Sequence, residues 1–516
     1  MTILKDSECS DALLKQIAHF FHINSPKLTR SPYSATRFST FEHTLGMQEN
    51  SPPLITSALT LLVGLSGGLD SVVLLDLMVR LKQNLGQAKQ MMQTCLVNDE
   101  NQSFPKLNFT IKSIRAIYVH HGLSKNADDW ARHCQMLCDE YGIPLVIQRV
   151  HVDTKLNGIE AGARKARYEA FKQHLLPSDV LLTAQHQDDQ AETFMLALKR
   201  GSGPLGLGGM LPIRQLDSLH WHARPLLEFS RCELEHYAHT YSLKWINDES
   251  NDNDAFDRNF LRLNVMPILQ ERWPYFQQAV ARSAELCQSQ ERLLDELLAP
   301  VLDSIIEKRE QSLDIEALRT FTDEKRYAVI RRWCQLVKLH SPTNDQIRRI
   351  WSEVALSRQD SHAMVEMGYS PDQNVMLQVK RYHNRLYKVL LPVNTSNHDN
   401  LYILELNQSE IPIPQLTTTV TRERIIKDLL RLAESLQLTQ DEIVRYKTYF
   451  EQQPITIRFG LPSSFQVSII GQDRGKTIKK IWQIFNIPPW KRHFIPYFFI
   501  KDKLLMGGEL FLAKLD

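Results

Sequence analysis

A glycine-containing turn between two apolar runs is the segment best suited to chemistry, and its residues are Ser66, Gly67, Gly68, Leu69, Asp70 and Ser71. Adjacent glycines let backbone N–H groups approach an anion without hindrance from a Cβ atom, and a helix behind them adds its positive dipole end. Neither GxxxxGK[ST] nor GxGxxG is present, which argues against a Walker loop and a dinucleotide fingerprint. The turn therefore predicts a pyrophosphate cradle. The alternative is an ordinary strand-to-helix turn that Asp70 or Ser71 caps.

Three carboxylates are crowded into one helical turn, at Asp188, Asp189 and Glu192. Negative charge at the start of a helix is favoured by the helix dipole, and grouped carboxylate oxygens suit a hard cation. The spacing therefore indicates a site for a metal-bridged phosphate ligand. The alternative is a solvated, well-capped helix start.

The turn SGGLDS resembles the PP-loop of the N-type ATP pyrophosphatases, which cleave ATP between its α and β phosphates. This resemblance implies that the serines and glycines hold pyrophosphate and that Asp70 helps to hold Mg²⁺ against the phosphates. It also implies a Rossmann-like α/β domain with a parallel sheet.

Further blocks of sequence narrow the resemblance to one family. They lie at residues 119–123, 160–168, 184–193, 200–207, 224–227, 248–251 and 258–262. Together they span roughly residues 59 to 270 and resemble the tRNA(Ile)-lysidine synthetases in order and spacing. One departure is Gln185, because the family commonly has two adjacent histidines before the carboxylate pair and this chain has only His186 there.

The family resemblance implies an enzyme that ligates free L-lysine to C2 of the wobble cytidine in the CAU anticodon of tRNA(Ile). ATP and Mg²⁺ are the implied cofactors, an adenylated cytidine is the intermediate, and AMP and pyrophosphate are released. The implied catalytic residues are Asp70, His186 and Asp189, with Asp70 and Asp189 as Mg²⁺ ligands. Because the lysine amine has a pKa of ~10.4, a base is needed, and Asp189 and His186 are the candidates.

Other residues are candidate ligand contacts. His120 and His121 end a predicted strand, and one of them, with His120 preferred, is expected to contact ATP beside the loop. Candidate substrate or tRNA contacts within the matched blocks are Glu160, Arg164, Glu192, Arg200, Arg224 and Arg262. Arginines suit phosphate groups, although a surface salt bridge is the alternative for each of them.

A basic and aromatic segment near the C-terminus predicts an RNA-binding surface. Its candidate contacts are Lys479, Lys480, Trp490, Lys491 and Arg492. Cations bind the phosphate backbone and aromatic rings stack on unpaired bases. The alternative is a core helix with solvated lysines, because Ile478, Ile481 and Trp482 also fit an apolar face. Residues 455–510 resemble the C-terminal domain of the longer lysidine synthetases, which implies tRNA recognition.

The elements that must position these residues are predicted from periodicity. Apolar runs at 59–65, 114–119, 145–152 and 180–184, each followed by a helix-like segment, predict βαβ units on a parallel sheet. Ligands are expected at the carboxyl ends of such strands. We predict a loosely attached extension (1–55), a catalytic α/β domain (56–263), an all-helical tRNA-binding or linker domain (264–380) and a mixed α+β tRNA-recognition domain (381–516).

Composition limits the remaining function classes. The 516 residues carry a net charge of only +2, so affinity for a polyanion depends on local patches. No long apolar run or leader-like start occurs, which predicts a cytoplasmic protein without a membrane partner. Seven scattered cysteines without CxxC argue against a zinc or iron–sulfur site. A tRNA thiolase, an amidotransferase-linked synthetase and a catalytically inactive RNA-binding protein are the weaker alternatives, and a homodimer is one of the oligomeric states allowed.

Overall fold

The chain divides into two compact units, Met1–Leu294 and Asp295–Asp516. The computed structural model describes residues 6–28, 57–94, 109–152, 158–249, 253–339, 341–358, 361, 363–370, 374–392, 401–413, 418–472 and 474–515. Among these residues, no helix combines the length and apolar character that crossing a lipid bilayer requires.

The first unit is built on a six-stranded sheet. Its strands are β1 Ser57–Gly64, β2 Phe109–His120, β3 Leu145–Arg149, β4 Asp179–Leu182, β5 Ile213–Gln215 and β6 Trp221–Ala223. The spatial order is β3–β2–β1–β4–β6–β5, and every neighbouring pair is parallel except β5 with β6. The carboxyl ends of five strands therefore meet at one edge, where ligands bind in such sheets.

Helices cover both faces of this sheet. The helices that begin in the first unit are α1 Asp6–Leu28, α2 Leu69–Thr94, α3 Ala127–Tyr141, α4 Gly158–His174, α5 Gln187–Lys199, α6 Pro204–Leu207, α7 Arg231–Thr240, α8 Asp257–Phe260, α9 Met266–Arg272 and α10 Phe276–Ile305, with a π-helical turn at Leu261–Val265; α10 ends within the second unit. One core joins the sheet to α1, α2, α3 and α7. A second core joins its other face to α4 through Phe171 and Leu175. The predicted βαβ alternation is confirmed.

The second unit begins with helices and continues as strands. Its helices are α11 Ile315–Arg319, α12 Asp323–Leu336 and α13 Asn344–Arg349, followed by a π-helical turn at Ile350–Ala355. Next to them lies an antiparallel sheet of β7 Leu313–Asp314, β8 Met364–Ser370, β9 Val375–Tyr382 and β10 Arg385–Pro392.

The rest of the second unit is a mixed α/β subdomain. Its elements are β11 Leu401–Leu404, β12 Glu410–Ile413, β13 Thr418–Thr421, α14 Arg422–Ser435, α15 Gln440–Gln452, β14 Ile455–Arg458, β15 Gln466–Val467, β16 Lys476–Thr477, α16 Ile478–Ile484, α17 Pro489–Arg492, β17 Tyr497–Ile500, β18 Lys503–Gly507 and β19 Phe511–Leu512. Strands β11, β14, β17, β18 and β19 form one antiparallel sheet.

Two expectations differ from the structure. Range 264–380 is not all-helical, because it also contains β7, β8 and β9. In β8, Val365 and Met367 are buried while Met364 is exposed, so the strand has a period of two over a stretch too short to stand out in the sequence.

The second difference concerns the N-terminal extension, which is not loosely attached where it is described. In α1, Leu13, Ile17 and Phe21 recur every four residues, are buried and join the core of the first unit. The Phe21 ring lies 5.8 Å from that of Phe109 on β2. Residues 1–5 and 29–55 of the predicted extension lie outside the described residues.

We therefore expect Phe21→Ala to lower the apparent free energy of unfolding of the first unit by about 3 kcal/mol, because it empties a fully buried site. Ile23→Ala on the same helix, where the side chain is exposed, should change it by less than about 0.5 kcal/mol. Denaturant titration monitors both variants. Equal stabilities would contradict the packing of α1 into the core.

Candidate active site

The phosphate-binding turn between β1 and α2 is held by its own side chains. The Ser71 hydroxyl accepts a hydrogen bond from the Ser66 backbone N–H at 3.1 Å and donates one to the Gly68 carbonyl at 2.9 Å. The Ser66 and Ser71 hydroxyls lie 3.1 Å apart. These contacts fix the loop conformation at the N-terminus of α2, where backbone N–H groups favour an anion.

Gly67 is required by backbone conformation and by space. Its φ is +82°, a region that side-chain-bearing residues rarely adopt. A Cβ atom there would lie 3.1 Å from Cys134 Sγ and 3.2 Å from Ile246 Cδ1. Burial raises the pKa of Cys134 to about 12, so this thiol supports the loop as a small packing group.

His186 brings the predicted catalytic residues together. It follows β4, caps the N-terminus of α5 and is 1% exposed. Its Nε2 atom lies 3.5 Å from Asp189 Oδ2 and 3.7 Å from Asp70 Oδ2, while Nδ1 lies 3.7 Å from Asp188 Oδ1. Burial alone lowers the pKa of His186, but the three carboxylates outweigh it and raise the pKa to about 9. A buried imidazolium thus holds together three carboxylates that would otherwise repel one another.

Asp70 has one carboxylate oxygen left for a ligand. Its Oδ1 atom is buried and has no hydrogen-bond partner among the described residues. Burial raises the pKa of Asp70, and the charges of His186 and Arg231 offset this only in part. An additional cation at Oδ1 would stabilise this carboxylate.

The predicted Mg²⁺ ligands differ in how well they fit a cation. Asp189 is engaged at both oxygens: Oδ2 accepts from the His186 backbone N–H at 3.2 Å, and Oδ1 accepts from Arg262 at 3.2 Å. Within the described part of the chain, no three His, Cys, Asp or Glu side chains are arranged to hold a metal. Mg²⁺ commonly uses one or two carboxylates together with water and substrate phosphates, so Asp70 fits it better than Asp189.

Glu192 and Arg262, both predicted substrate contacts, form a bidentate ion pair with each other. Arg262 donates to the two Glu192 carboxylate oxygens at 2.7 and 3.1 Å. Glu192 is 2% exposed, and burial raises the pKa of its carboxyl. Arg258 approaches the same carboxylate at 3.7 Å. The ion pairs of Glu192 therefore connect the start of α5 to Arg258 and Arg262, in the segment that follows α7.

Arg231 is a site residue that the sequence analysis missed. Its backbone N–H donates to Asp188 Oδ1 at 3.1 Å, and its guanidinium lies 3.5 Å from Asp70 Oδ2. Ser230 and Glu233 form a capping box that starts α7. That S-x-x-E signal, shortly after the RPLL block, would have placed Arg231 at a helix start near the ligand edge.

Arg224 and His222 form a buried polar group next to Gln185. Arg224 donates to Gln185 Oε1 at 3.2 Å and to the Leu211 carbonyl at 2.6 Å. His222 Nε2 lies 2.6 Å from the Thr183 hydroxyl, which also bonds Gln185, and His222 Nδ1 accepts from Arg214 at 3.2 Å. Burial, followed by the charges of Arg224 and Arg214, lowers the pKa of His222 to about 2. Gln185, the departure from the family pattern, is therefore the bridge between Thr183 and Arg224.

The remaining predicted contacts are spread along the ligand edge. His120 is buried with Nε2 at 3.2 Å from Asp128, so its ring is already partnered. His121 Nε2 accepts from Arg167 at 3.4 Å, and burial, with Arg167 next, lowers the pKa of His121 to about 4. Glu160, Arg164 and Arg200 are exposed. Their roles stay predictions.

In the second unit, the predicted RNA contacts fall into two groups. Lys479 and Lys480 on α16 are exposed, while Trp482 of the same helix is buried in the core. Trp490 on α17 lies edge-to-face against Tyr382 and Tyr387, at 6.1 and 5.6 Å between ring centroids.

The basic residues beside Trp490 also have partners within the unit. Lys491 pairs with Glu310, and Arg492 donates to the Ile487 carbonyl at 3.2 Å. The Arg492 guanidinium lies 5.1 Å from the Trp482 ring. Of the five predicted RNA contacts, only Lys479 and Lys480 are thus exposed without such internal contacts.

Comparison with known families places three matches along the chain. Residues 40–269 match the PP-loop domain, residues 313–387 the TilS substrate binding domain and residues 455–515 the TilS substrate C-terminal domain. The matched ranges include the loop, the carboxylates, the antiparallel sheet and the α16–α17 segment.

Curated relatives match over most of their length. A tRNA(Ile)-lysidine synthase from Yersinia pseudotuberculosis is 42% identical over 88% of this chain and 92% of the relative. Enzymes of the same name from Proteus mirabilis and Shigella flexneri are 41% and 39% identical, over 88% and 89% of this chain and 91% and 94% of theirs. A solved U34-tRNA thiolase, NcsA from Methanococcus maripaludis, covers 45% of this chain and 73% of its own at 19% identity and a TM-score of 0.33, too distant to bear on function.

The buried His222 predicts acid sensitivity. Its pKa is about 2 in the folded state and ~6.5 when unfolded, so its stabilising contribution is complete above pH 6.5 and is lost as the pH falls below that value. Between pH 7 and pH 5 we expect this residue to remove about 2 kcal/mol of stability. His222→Gln should reduce that loss in denaturant titrations at the two pH values.

The exposed His19 provides the control for this measurement. His19→Gln should retain the acid sensitivity of the natural chain. If His222→Gln lost as much stability between pH 7 and pH 5 as the natural chain does, His222 would already be charged in the folded protein.

Proposed function

The chain belongs to the tRNA(Ile)-lysidine synthase family, and on that premise we propose that it ligates L-lysine to C2 of the wobble cytidine in the CAU anticodon of tRNA(Ile). The observation that carries the proposal is the placement of Asp70. At the start of α2, this residue joins the phosphate loop to the His186-centred carboxylates, and its Oδ1 atom has no hydrogen-bond partner among the described residues.

The first step we propose is activation of the base by ATP. The cytidine O2 atom attacks the α-phosphorus, the bond to the β-phosphate oxygen breaks, and pyrophosphate leaves from the loop. The loop N–H groups and the α2 dipole stabilise charge on the departing pyrophosphate, which is catalysis by positioning and electrostatics. Arg231, whose guanidinium lies 3.5 Å from Asp70, would serve the same purpose.

Asp70 would hold Mg²⁺ through Oδ1, which accepts no hydrogen bond within the part of the chain that the structure describes. When bound, the ion supplies positive charge to the phosphates. His186 and Arg231 both lie close to Oδ2 of Asp70 and so fix the orientation of the carboxylate, including Oδ1.

The second step we propose is attack of the lysine ε-amine on C2 of the adenylated cytidine, with departure of AMP. The amine must lose a proton, and the acceptor must be near the His186-centred carboxylates. With a pKa of about 9, His186 is already protonated at neutral pH and serves as the charge that orders the carboxylates. We therefore assign the proton acceptor to the carboxylate side, with Asp189 as the candidate.

A tRNA thiolase chemistry is less compatible with the described cysteines. Cys134, the thiol beside the loop, has a pKa raised to about 12 by burial and does not offer a thiolate at neutral pH. A requirement for a sulfur donor and none for lysine would favour that alternative.

We propose that tRNA recognition uses the exposed face of α16, through Lys479 and Lys480. Trp490 instead joins α17 to β9 and β10 within the second unit. The proposed division of labour is a catalytic domain at 56–263, a linker or tRNA-binding domain at 264–380 and a tRNA-recognition domain at 381–516.

The direct test is ATP-dependent incorporation of labelled lysine into unmodified isoleucine tRNA with a CAU anticodon, compared with methionine tRNA of the same anticodon. We expect label only in the isoleucine tRNA. Asp70→Asn should reduce incorporation by at least about a thousandfold, because the electrostatic contribution at the phosphates is lost.

Lys199→Gln changes an exposed cation paired with Asp257 and is the matched control, which should retain activity. Circular dichroism verifies the fold of both variants. Lysine-independent pyrophosphate release with no labelled tRNA would refute the ligase assignment.

The C-terminal assignment predicts a contrast between two variants. Lys480→Gln should leave stability within about 0.5 kcal/mol and reduce the salt dependence of tRNA binding by the contribution of roughly one phosphate contact. Trp490→Ala should lower the stability of the second unit by about 2 kcal/mol, because two aromatic contacts are lost. Thermal unfolding and filter binding measure the two effects. A stable Trp490→Ala protein with weakened binding would instead indicate base stacking by Trp490.

A further inference from the structure

We propose that three arginines beside the active site bind a backbone phosphate of the RNA next to the target nucleotide. This arginine cluster consists of Arg164, Arg214 and Arg224. The identification of the ligand as RNA rests on the proposed function, whereas the presence of an anion site rests on the geometry alone.

The cluster is compact and is organised by two rings. The guanidinium carbons of Arg164 and Arg214 lie 5.1 and 5.2 Å from the centre of the Tyr168 ring. Arg214 and Arg224 both approach His222 Nδ1, at 3.2 and 3.3 Å. Tyr168 and His222 are themselves in edge contact at 5.7 Å. Three guanidinium groups therefore converge on one small region.

Within the described part of the chain, none of the three arginines has a carboxylate at salt-bridge distance. Arg224 is 2% exposed, and its polar partners are neutral: a glutamine, a backbone carbonyl and a histidine. A buried cation without an opposite charge is strongly unfavourable, and neighbouring cations add to this effect. Burial, together with Arg214 and Arg164, lowers the pKa of Arg224 to about 10. A bound anion would offset this accumulated charge.

The location indicates which anion fits. Arg164 and Tyr168 lie near the middle of α4, on the sheet face opposite to α2 and its phosphate loop. ATP phosphates on the loop therefore leave the cluster free. Arg224 is bonded to Gln185, which precedes His186, so the cluster borders the proposed reaction centre.

Accessibility and chemistry favour a macromolecular phosphate. Arg164 is exposed, so a backbone can reach it from solution, while Arg224 closes the inner side. The planar donor fork of guanidinium matches two phosphate oxygens at once. Carboxylates gather around His186, whereas arginines gather around Tyr168. This separation would direct the amine substrate and the RNA backbone to opposite sides of the target base.

The test measures equilibrium binding of unmodified tRNA to the full chain without ATP or lysine, over a range of salt concentrations. Arg164→Gln and Arg214→Gln should each weaken binding about tenfold and lower the slope of log K against log salt by about 0.7 to 0.9. The KM for ATP in the lysine-incorporation assay should stay within about twofold of the natural value, since these residues are distant from the loop face.

Arg132→Gln is the matched control, because it removes one exposed cation from α3 on the opposite face of the sheet. It should bind tRNA as the natural chain does. The proposal would be overturned if both cluster variants bound tRNA as tightly as Arg132→Gln does. It would also be overturned if they raised the KM for ATP and left tRNA binding unchanged. A natural chain that binds tRNA but incorporates no lysine would refute the proposed function and leave this binding test intact.

Discussion

The active site depends on one buried charge, the imidazolium of His186. Without it, Asp70, Asp188 and Asp189 would bring three negative charges into a region with little access to water. With it, strand β4, helix α5 and the phosphate loop are joined through a single ring, which is positioned because β4 and β1 are neighbours in the sheet. The parallel order of the strands therefore has a direct electrostatic consequence.

Negative and positive side chains occupy different parts of the ligand edge of the sheet. The carboxylates lie at the starts of α2 and α5, and each has a nearby cation from His186, Arg231, Arg258 or Arg262. The arginines around Tyr168 instead have neutral neighbours. Such an arrangement suits a reaction in which a polyanion and an amine must meet at one uncharged ring, because each partner is attracted to a different side.

The sequence predicted the features that are local in the chain. The glycine turn, the start of α5 and the βαβ alternation depend on residues within a few positions of one another, and their periodicity identifies them. Arg231 was missed because its approach to Asp70 depends on tertiary packing between α2 and α7. The packing of Trp490 against Tyr382 and Tyr387 was not visible in the sequence, because these rings lie more than a hundred residues away along the chain. The strands within 264–380 were missed because they are short and half-buried.

The packing of α1 has a practical consequence for fragment design. A shortened catalytic fragment that starts at residue 40, where the match to the PP-loop domain begins, would omit a helix that covers Phe109 of β2. The uncovered apolar surface would border the strand that leads to His120 and His121. The minimal unit that can be expected to remain soluble and correctly assembled is thus longer than the segment that carries the recognisable motifs.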